Sequence, residues 1–384
     1  MKIGVIGAGR LGICFALLCE AAGYDVLVSD IREDYVEGLN KREITTNEPE
    51  VENLLKFATN FRATTSNREV IDECDLIYTL VATPSLEDGS YDVSAVWKVV
   101  EEFKDVKVRK YFVVGCTTNP GDCEKFKSEL PKNIKVFYNP EFIAQGSIVN
   151  DLRHADMVLL GTDPFDDVEN IVKDIKTLYQ KIQSTRSIVC AMSTTAAEIT
   201  KIALNCFLTT KISYANMLGD TLRQAGCGDE ISGVLNAIGT DSRVGRKYLG
   251  YGFGYGGPCL PRDNRAFAHF AKSVGLDYNL GYVTDEINNQ HAKFLCDFYV
   301  NLNTKGIPFY FDSITYKKGT DILTESQQFK LCVDLLREGF GVYILNDRRV
   351  TPQVYDSRIG EFGDRVKFVD NKDNITEPIF IVNT

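Results

Sequence analysis

Histidine is scarce. Three residues, His154, His269 and His291, lie far apart in 384, and none adjoins a cysteine cluster. A metal centre built on imidazole and thiolate is therefore not expected. Eleven cysteines are present, but the number is odd, no two form CxxC, and most (Cys14, Cys19, Cys190, Cys206, Cys332) sit inside apolar runs. That pattern excludes a disulfide scaffold and fits small buried hydrophobes in a reducing cytoplasm. No apolar run is long enough to span a bilayer. The opening MKIGVIGAGRLGICFALLCE places Lys2 before an apolar stretch, yet Arg10 and spaced glycines interrupt it and no small-residue cleavage pattern follows. A secretory leader is not expected. Low-complexity segments are also missing, and a net charge of −10 argues against nucleic-acid or anionic-membrane partners. What remains is a globular composition, 44% hydrophobic and 25% charged, with length for two or three domains. Its chemistry must use thiol, amine, carboxylate and hydroxyl groups.

The first such pattern is KIGVIGAGRLG, a short apolar strand followed by Gly7, Gly9 and Gly12 in GxGxxG spacing. An apolar helical run ends at Gly23, and a second strand, DVLVSD, finishes on Asp30. A glycine triplet alone is weak. One that follows a strand, opens a helix and has an acid about 20 residues on is a dinucleotide fingerprint. Gly7 allows the tight turn, Gly9 lets backbone approach a diphosphate, and Gly12 packs helix on strand. The helix N-terminus faces the phosphate charge. Asp30 would accept from the adenosine ribose and repel a 2′-phosphate, which favours NAD over NADP, with Arg32 as a nearby counterweight.

Further strand patterns, CDLIYTLVATPS, KYFVVGCTT, KVFYNPEF and ADMVLLGT, alternate with helical ones such as VSAVWKVVEEF. The alternation predicts a parallel doubly wound sheet, with site residues beyond the strands' carboxyl ends: Thr83, Pro84, Ser85, Thr117, Thr118, Asn139, Pro140 and Glu141. STTAAEITKIALNCFLTTKISYANMLGDTLRQAG then reads as one long helix, with Thr195 and Glu198 spaced as a capping box. Lys201 and Asn205, four apart, share a face of it. Downstream, GYGFGYGGPCLPRDNRAF crowds five glycines and two prolines around Cys259, with Asp263 four residues later. So costly a backbone reads as a loop wrapped around something.

Together these pieces resemble the UDP-glucose/GDP-mannose dehydrogenase family. GAGRLG with Asp30, VATPSLEDGSYDVSAV, the TTNP turn, NPEFIAQG, AAEITKIALNCF, DSRVG and GYGGPCLPRD come in family order over roughly residues 1 to 290. The Tyr-Gly-Gly and Leu-Pro pieces look most like UDP-glucose 6-dehydrogenases. The resemblance implies an α/β fold: two Rossmann-like doubly wound parallel-sheet domains joined by a long central helix and a helical dimerisation region. Residues 1–190 would bind NAD, 191–300 would form the central helical domain with the catalytic loop, and 301–384 would bind the UDP-sugar. It also implies a four-electron, metal-free oxidation of a sugar C6 alcohol to a carboxylate with two NAD⁺. Cys259 would be the nucleophile, and Lys201 with Asn205 would stabilise charge on the C6 oxygen. Asp263 and Glu141 would handle proton and water steps, with Thr118 holding the water. The cofactor would contact Gly7, Ala8, Gly9, Arg10, Leu11 and Gly12, then Asp30, Thr83, Pro84, Thr118, Gln145 and Asp263. The sugar nucleotide would meet Glu141, Phe142, Lys201 and Asn205. The backbone from Tyr248 to Gly256 (Leu249, Tyr251 and Gly252 included) would close over it, where side chains would collide with the sugar. Lys317 would add a contact, and Arg243 would reach a neighbouring subunit's substrate in a homodimer.

Four positions depart from the family pattern. Thr324 replaces an arginine for NAD phosphates, Gln145 a glutamate, Met157 an arginine and Arg262 a lysine. A lost phosphate contact costs about 1.5–3 kcal/mol unless something substitutes. Alternative substrates, GDP-mannose or a UDP-N-acetylhexosamine, and a non-catalytic nucleotide-sugar-binding role therefore stand beside UDP-glucose.

Overall fold

The computed structural model describes residues 1–163, 169–355 and 358–382. The chain divides into two compact units, Met1–Lys201 and Ile202–Thr384. The first holds eight strands: β1 (Lys2–Ile6), β2 (Asp25–Ser29), β3 (Phe61–Thr64), β4 (Leu76–Thr79), β5 (Lys110–Val114), β6 (Ile134–Tyr138), β7 (Met157–Gly161) and β8 (Ile188–Met192). Their order is β3-β2-β1-β4-β5-β6-β7-β8. All neighbours are parallel except β6 and β7, which meet antiparallel at Tyr138 and Gly161. The expectation of a parallel sheet therefore holds for β1 to β6, and the β7–β8 pair runs against it.

Side chains alternate across this sheet. Val26, Val28, Leu76, Tyr78, Val113 and Phe137 join one apolar core. Leu27, Ile77, Phe112, Val114, Val136 and Tyr138 join a second on the opposite face. Both faces are dry, which is why these strands read as unbroken apolar runs.

The second unit contains a four-stranded parallel sheet of β9 (Phe309–Phe311), β10 (Val342–Leu345), β11 (Val366–Val369) and β12 (Phe380–Ile381), ordered β11-β10-β9-β12. Helix Gln327–Arg337 lays Leu331, Cys332, Leu335 and Leu336 onto Phe309, Phe311, Val342 and Ile344.

The long helix runs without a break from Thr194 to Gln224, 31 residues or about 46 Å at 1.5 Å per residue. Its start corrects the capping-box expectation. The Ser193 hydroxyl accepts from the Ala196 N–H (3.4 Å). Glu198 is instead fully buried and accepts from the Thr118 hydroxyl (2.9 Å), the Gly121 N–H (2.6 Å) and the Cys123 N–H (2.9 Å). A carboxylate with three donors elsewhere has no reason to fold back on its own helix. Burial raises the Glu198 pKa, against the opposing pull of those bonds.

Replacing Glu198 by Ala orphans two buried donors, at about 1–3 kcal/mol each, and the half-buried Gly121 N–H. Glu198→Gln keeps an acceptor and loses less. Urea unfolding of the two variants checks the order: the alanine variant is expected to have the lower midpoint.

Candidate active site

The dinucleotide turn is built as its spacing requires. Gly7 has φ +95° and donates its N–H to the Ser29 carbonyl (2.9 Å). A Cβ on Gly12 would lie 1.9 Å from the Gly7 carbonyl oxygen, so only glycine lets the helix pack there. A Cβ on Gly9 would meet nothing within 4 Å, and the surface above the loop is open. Asp30 follows β2, and Arg32 grips both its oxygens, Nε to Oδ1 at 2.8 Å and Nη2 to Oδ2 at 3.0 Å. Burial works to raise the Asp30 pKa, but the bonds from Arg32 and from the Ala8 N–H outweigh it and hold the carboxyl below its usual range. An open loop at a helix N-terminus with an ionised acid beyond the next strand fits an adenine dinucleotide. Arg10 donates to the Gln145 amide oxygen (3.1 Å), joining two expected cofactor residues.

Beyond β4, Thr83 is buried and Pro84 accepts from the Asp92 N–H (2.8 Å). Asn119 of the TTNP turn clamps Tyr91 by both its N–H (2.8 Å) and its carbonyl (2.9 Å), so two separate sequence motifs meet as one surface. Thr118 is buried, and its hydroxyl proton points to Glu198. Its oxygen can then only accept from a water.

Past β6 stands an acid cluster. Lys201 Nζ donates to the Glu141 carbonyl (2.8 Å) and lies 4.6 Å above the Phe142 ring centre. The Glu141 carboxyl meets the Tyr179 hydroxyl, which also lies 2.8 Å from Asn139 Oδ1. Asn139 is oriented by its amide, which donates to the Leu159 carbonyl (2.9 Å), so Oδ1 must accept. One phenol proton cannot serve two acceptors. Asn139 Oδ1 also accepts from the Tyr78 hydroxyl (3.3 Å), which leaves the Tyr179 proton for the Glu141 carboxyl. Burial raises the Glu141 pKa to about 7 against the pull of Tyr179 and Lys201. A carboxyl titrating there can take or give a proton at neutral pH. Tyr179 was not among the expected residues; it occupies an apolar-face position of its helix and carries no motif.

In the second unit the half-buried Cys259 is the N-cap of helix Leu260–Ser273, with Pro261 in the first turn. The positive end of a helix favours a thiolate. Asp263 donates its N–H to the Cys259 carbonyl (2.9 Å) and is fully buried. Its carboxylate accepts from the Asn205 amide (2.7 Å) and faces Arg262 Nε (3.2 Å). Asn205 thus serves the acid, one helical turn from Lys201.

Two glycines of the segment have a cause beyond the one expected. A Cβ on Gly254 would strike Asn288 Oδ1 at 2.2 Å, and one on Gly256 the Glu325 carbonyl at 2.3 Å. These glycines admit the protein's own groups. Thr324 contributes through its backbone, accepting the Gly257 N–H (3.1 Å). Tyr248 holds φ +61°, Leu249 is buried, and Arg243 is exposed and paired with Asp241 (2.6 Å). Lys317 lies exposed in the loop after β9. Near that loop a cavity of about 380 Å³ opens beyond β9, β10 and β11, with Ser313, Thr315, Asn346, Asp347 and Arg349 on its wall. Ligands in parallel sheets bind at such strand ends.

Tyr179→Phe removes a bond that favours ionised Glu141, so the Glu141 pKa moves further above 7. Carboxyl ¹³C resonances followed through pH are expected to show the upward move.

Comparison with known proteins gives the architecture its family. Residues 1–205 match the NAD binding domain of the UDP-glucose/GDP-mannose dehydrogenase family, and residues 195–290 match its central domain. The chain is 29% identical to UDP-glucose 6-dehydrogenase AglM of Haloferax volcanii over 360 residues, covering 89% of this chain and 82% of that one. It is 29% identical to a UDP-glucose 6-dehydrogenase of Pseudomonas aeruginosa, covering 89% and 78%. Among solved structures it superposes on a UDP-glucose dehydrogenase from Pyrobaculum islandicum with a TM-score of 0.85, 26% identity and coverage of 99% and 89%. The fold also matches a UDP-D-ManNAc dehydrogenase from Pyrococcus horikoshii, with a TM-score of 0.76, 21% identity and coverage of 99% and 97%. The chain belongs to the UDP-glucose/GDP-mannose dehydrogenase family and is an NAD-dependent nucleotide-sugar dehydrogenase.

Proposed function

We propose that the substrate is UDP-glucose and the product UDP-glucuronate, made through a thioester on Cys259. The observation that carries this reading is the thiol at a helix N-terminus, followed one turn later by a buried acid locked to Asn205. Bound NAD⁺ supplies the chemistry of hydride acceptance, once in each oxidation. Lys201 stabilises negative charge on the C6 oxygen as the alcohol loses its proton. The Cys259 thiolate adds to the resulting aldehyde and gives a thiohemiacetal, which keeps a hydrogen on carbon for the second oxidation. That oxidation leaves a thioester. Glu141, able to exchange a proton near neutrality, takes one from the water that cleaves it, with Thr118 accepting a hydrogen bond from that water. The products are a carboxylate and the regenerated thiol. Buried Asp263 stands beside the Cys259 backbone, placed to take the proton of the alcohol or the thiol.

We take residues 1–190, 191–300 and 301–384 as the cofactor, central and nucleotide domains, with the cavity beyond β9 to β11 as the nucleotide's place. The glycine segment from Tyr248 to Gly256 covers the sugar. A homodimer accounts for the apolar side chains that the second unit leaves in water: Phe207 (60% exposed), Tyr214 and Met217 on the long helix, and Tyr278 (81%) and Tyr282 (70%) at the start of helix Leu280–Leu302. In such a dimer the exposed Arg243 serves the neighbouring substrate. The enzyme works in the reducing cytoplasm, which suits eleven cysteines with no disulfide among them.

Turnover of a nucleotide-sugar panel decides the substrate: two NADH per UDP-glucose are expected, and turnover of GDP-mannose or a UDP-N-acetylhexosamine alone contradicts the reading. Cys259→Ser is expected to lower acid formation by about 10³-fold or more, as loss of a covalent nucleophile does, while both ligands still bind in calorimetry. An unchanged rate ends the covalent route.

A further inference from the structure

Helix Leu280–Leu302 carries a histidine that no step above uses. His291 is 2% exposed, and both ring nitrogens face acceptors: Nδ1 lies 2.7 Å from Asp220 Oδ2 and Nε2 lies 2.7 Å from the Gly252 carbonyl oxygen. A neutral imidazole has one N–H and would turn a lone pair on one of them. Asp220 is an acceptor on its other oxygen as well. Its Oδ1 accepts from the Tyr251 hydroxyl (2.9 Å), and that hydroxyl accepts from Arg223 Nε (3.2 Å). The Arg223 guanidinium also lies 4.3 Å from the Phe298 ring centre and 5.1 Å from that of Tyr251. The hydrogen-bond directions run from Arg223 through Tyr251 to Asp220, and from His291 outward to both sides. Only the doubly protonated ring closes that circuit.

Gly252 belongs to the glycine segment, and its two backbone groups are both held. The Asn216 amide oxygen accepts its N–H (3.0 Å) while His291 takes its carbonyl. Three residues on, Asn288 pairs with both the N–H (2.9 Å) and the carbonyl (3.1 Å) of Tyr255. Side chains at Asn216 on the long helix, and at Asn288 and His291 on the other, thus replace the partner strand that an extended segment would otherwise need.

We propose that His291 is a positioning residue which, as a buried imidazolium between Asp220 and Gly252, fixes the backbone of the substrate-covering glycine segment. Its consequence for catalysis rests on the reading that this segment covers the sugar; the latch itself does not. Loss of the ring proton as pH rises leaves a lone pair against the Asp220 carboxylate or the Gly252 carbonyl, and the segment loosens.

The test uses ¹⁵N-histidine-labelled full-length protein, with His291 assigned by the His291→Gln variant. At neutral pH both His291 nitrogens are expected to resonate as protonated, and a neutral ring overturns the proposal. Asp220→Asn is expected to lower the pH at which that ring deprotonates. Amide exchange at residues 252–255 should accelerate in His291→Gln, and unchanged protection overturns the proposal. In turnover, that variant should raise the KM for UDP-glucose roughly tenfold to hundredfold, the loss of one charge-assisted bond. Its kcat and KM for NAD⁺ should stay as they are, and the rise of the sugar KM with pH that the proposal predicts for the natural chain should flatten. An unaltered sugar KM overturns the positioning role. If no nucleotide sugar is turned over, the functional reading falls, while the nitrogen spectra and amide exchange still decide the latch.

Discussion

A single amide-to-carboxylate hydrogen bond, from Asn205 to Asp263, organises the chemistry of the second unit. Asp263 is fully buried, and a buried carboxylate needs donors. Asn205 and Arg262 supply them, and the Asp263 N–H ties the acid to the Cys259 backbone. The helix that starts at Leu260 is therefore anchored at the turn that presents the thiol. Because Asn205 lies four residues after Lys201 on one unbroken helix, the amine and the acid's anchor cannot drift apart along the chain.

The first unit solves a matching problem with different atoms. Among the described residues no cationic head is seen bonded to the carboxyl of its acid, Glu141; Lys201 binds the carbonyl of the same residue instead. The carboxyl sits among Tyr179 and Asn139, and burial moves it to where water chemistry at neutral pH needs a proton acceptor. The two acids thus differ by environment, one surrounded by donors and one desolvated. That is the condition under which two carboxyls can take different roles.

Much of this was legible in the order of residues. The Gly7, Gly9 and Gly12 turn, Asp30, strands β1, β2 and β4 to β7, the long helix and the Cys259 loop all stand where periodicity and spacing put them. β3 (FRAT), β8 (IVCAM) and β11 (VKFV) were not anticipated, because runs of four or five residues are too short to carry a period. The antiparallel turn of β7 was invisible for a related reason: its apolar run is the same in either direction. Glu198 misled because its spacing from Thr195 imitates a cap, while its real donors come from a turn some 75 residues away. Asn288 and His291 were passed over because a polar group within a helical pattern reads as a surface position until the fold buries it, and Tyr179 because its apolar-face position reads as core packing. The glycines were noticed, but not what crowds two of them, Gly254 and Gly256. Their crowding neighbours, Asn288 and the Glu325 backbone, are remote in sequence and set by tertiary packing.

The central claim is a covalent bond between the sugar's oxidised carbon and Cys259. The direct measurement is peptide mass spectrometry of a Glu141→Gln variant quenched in acid during turnover with UDP-glucose and NAD⁺. The account predicts a uronyl thioester on the peptide that carries Cys259. An unmodified Cys259 peptide while acid product accumulates would contradict it.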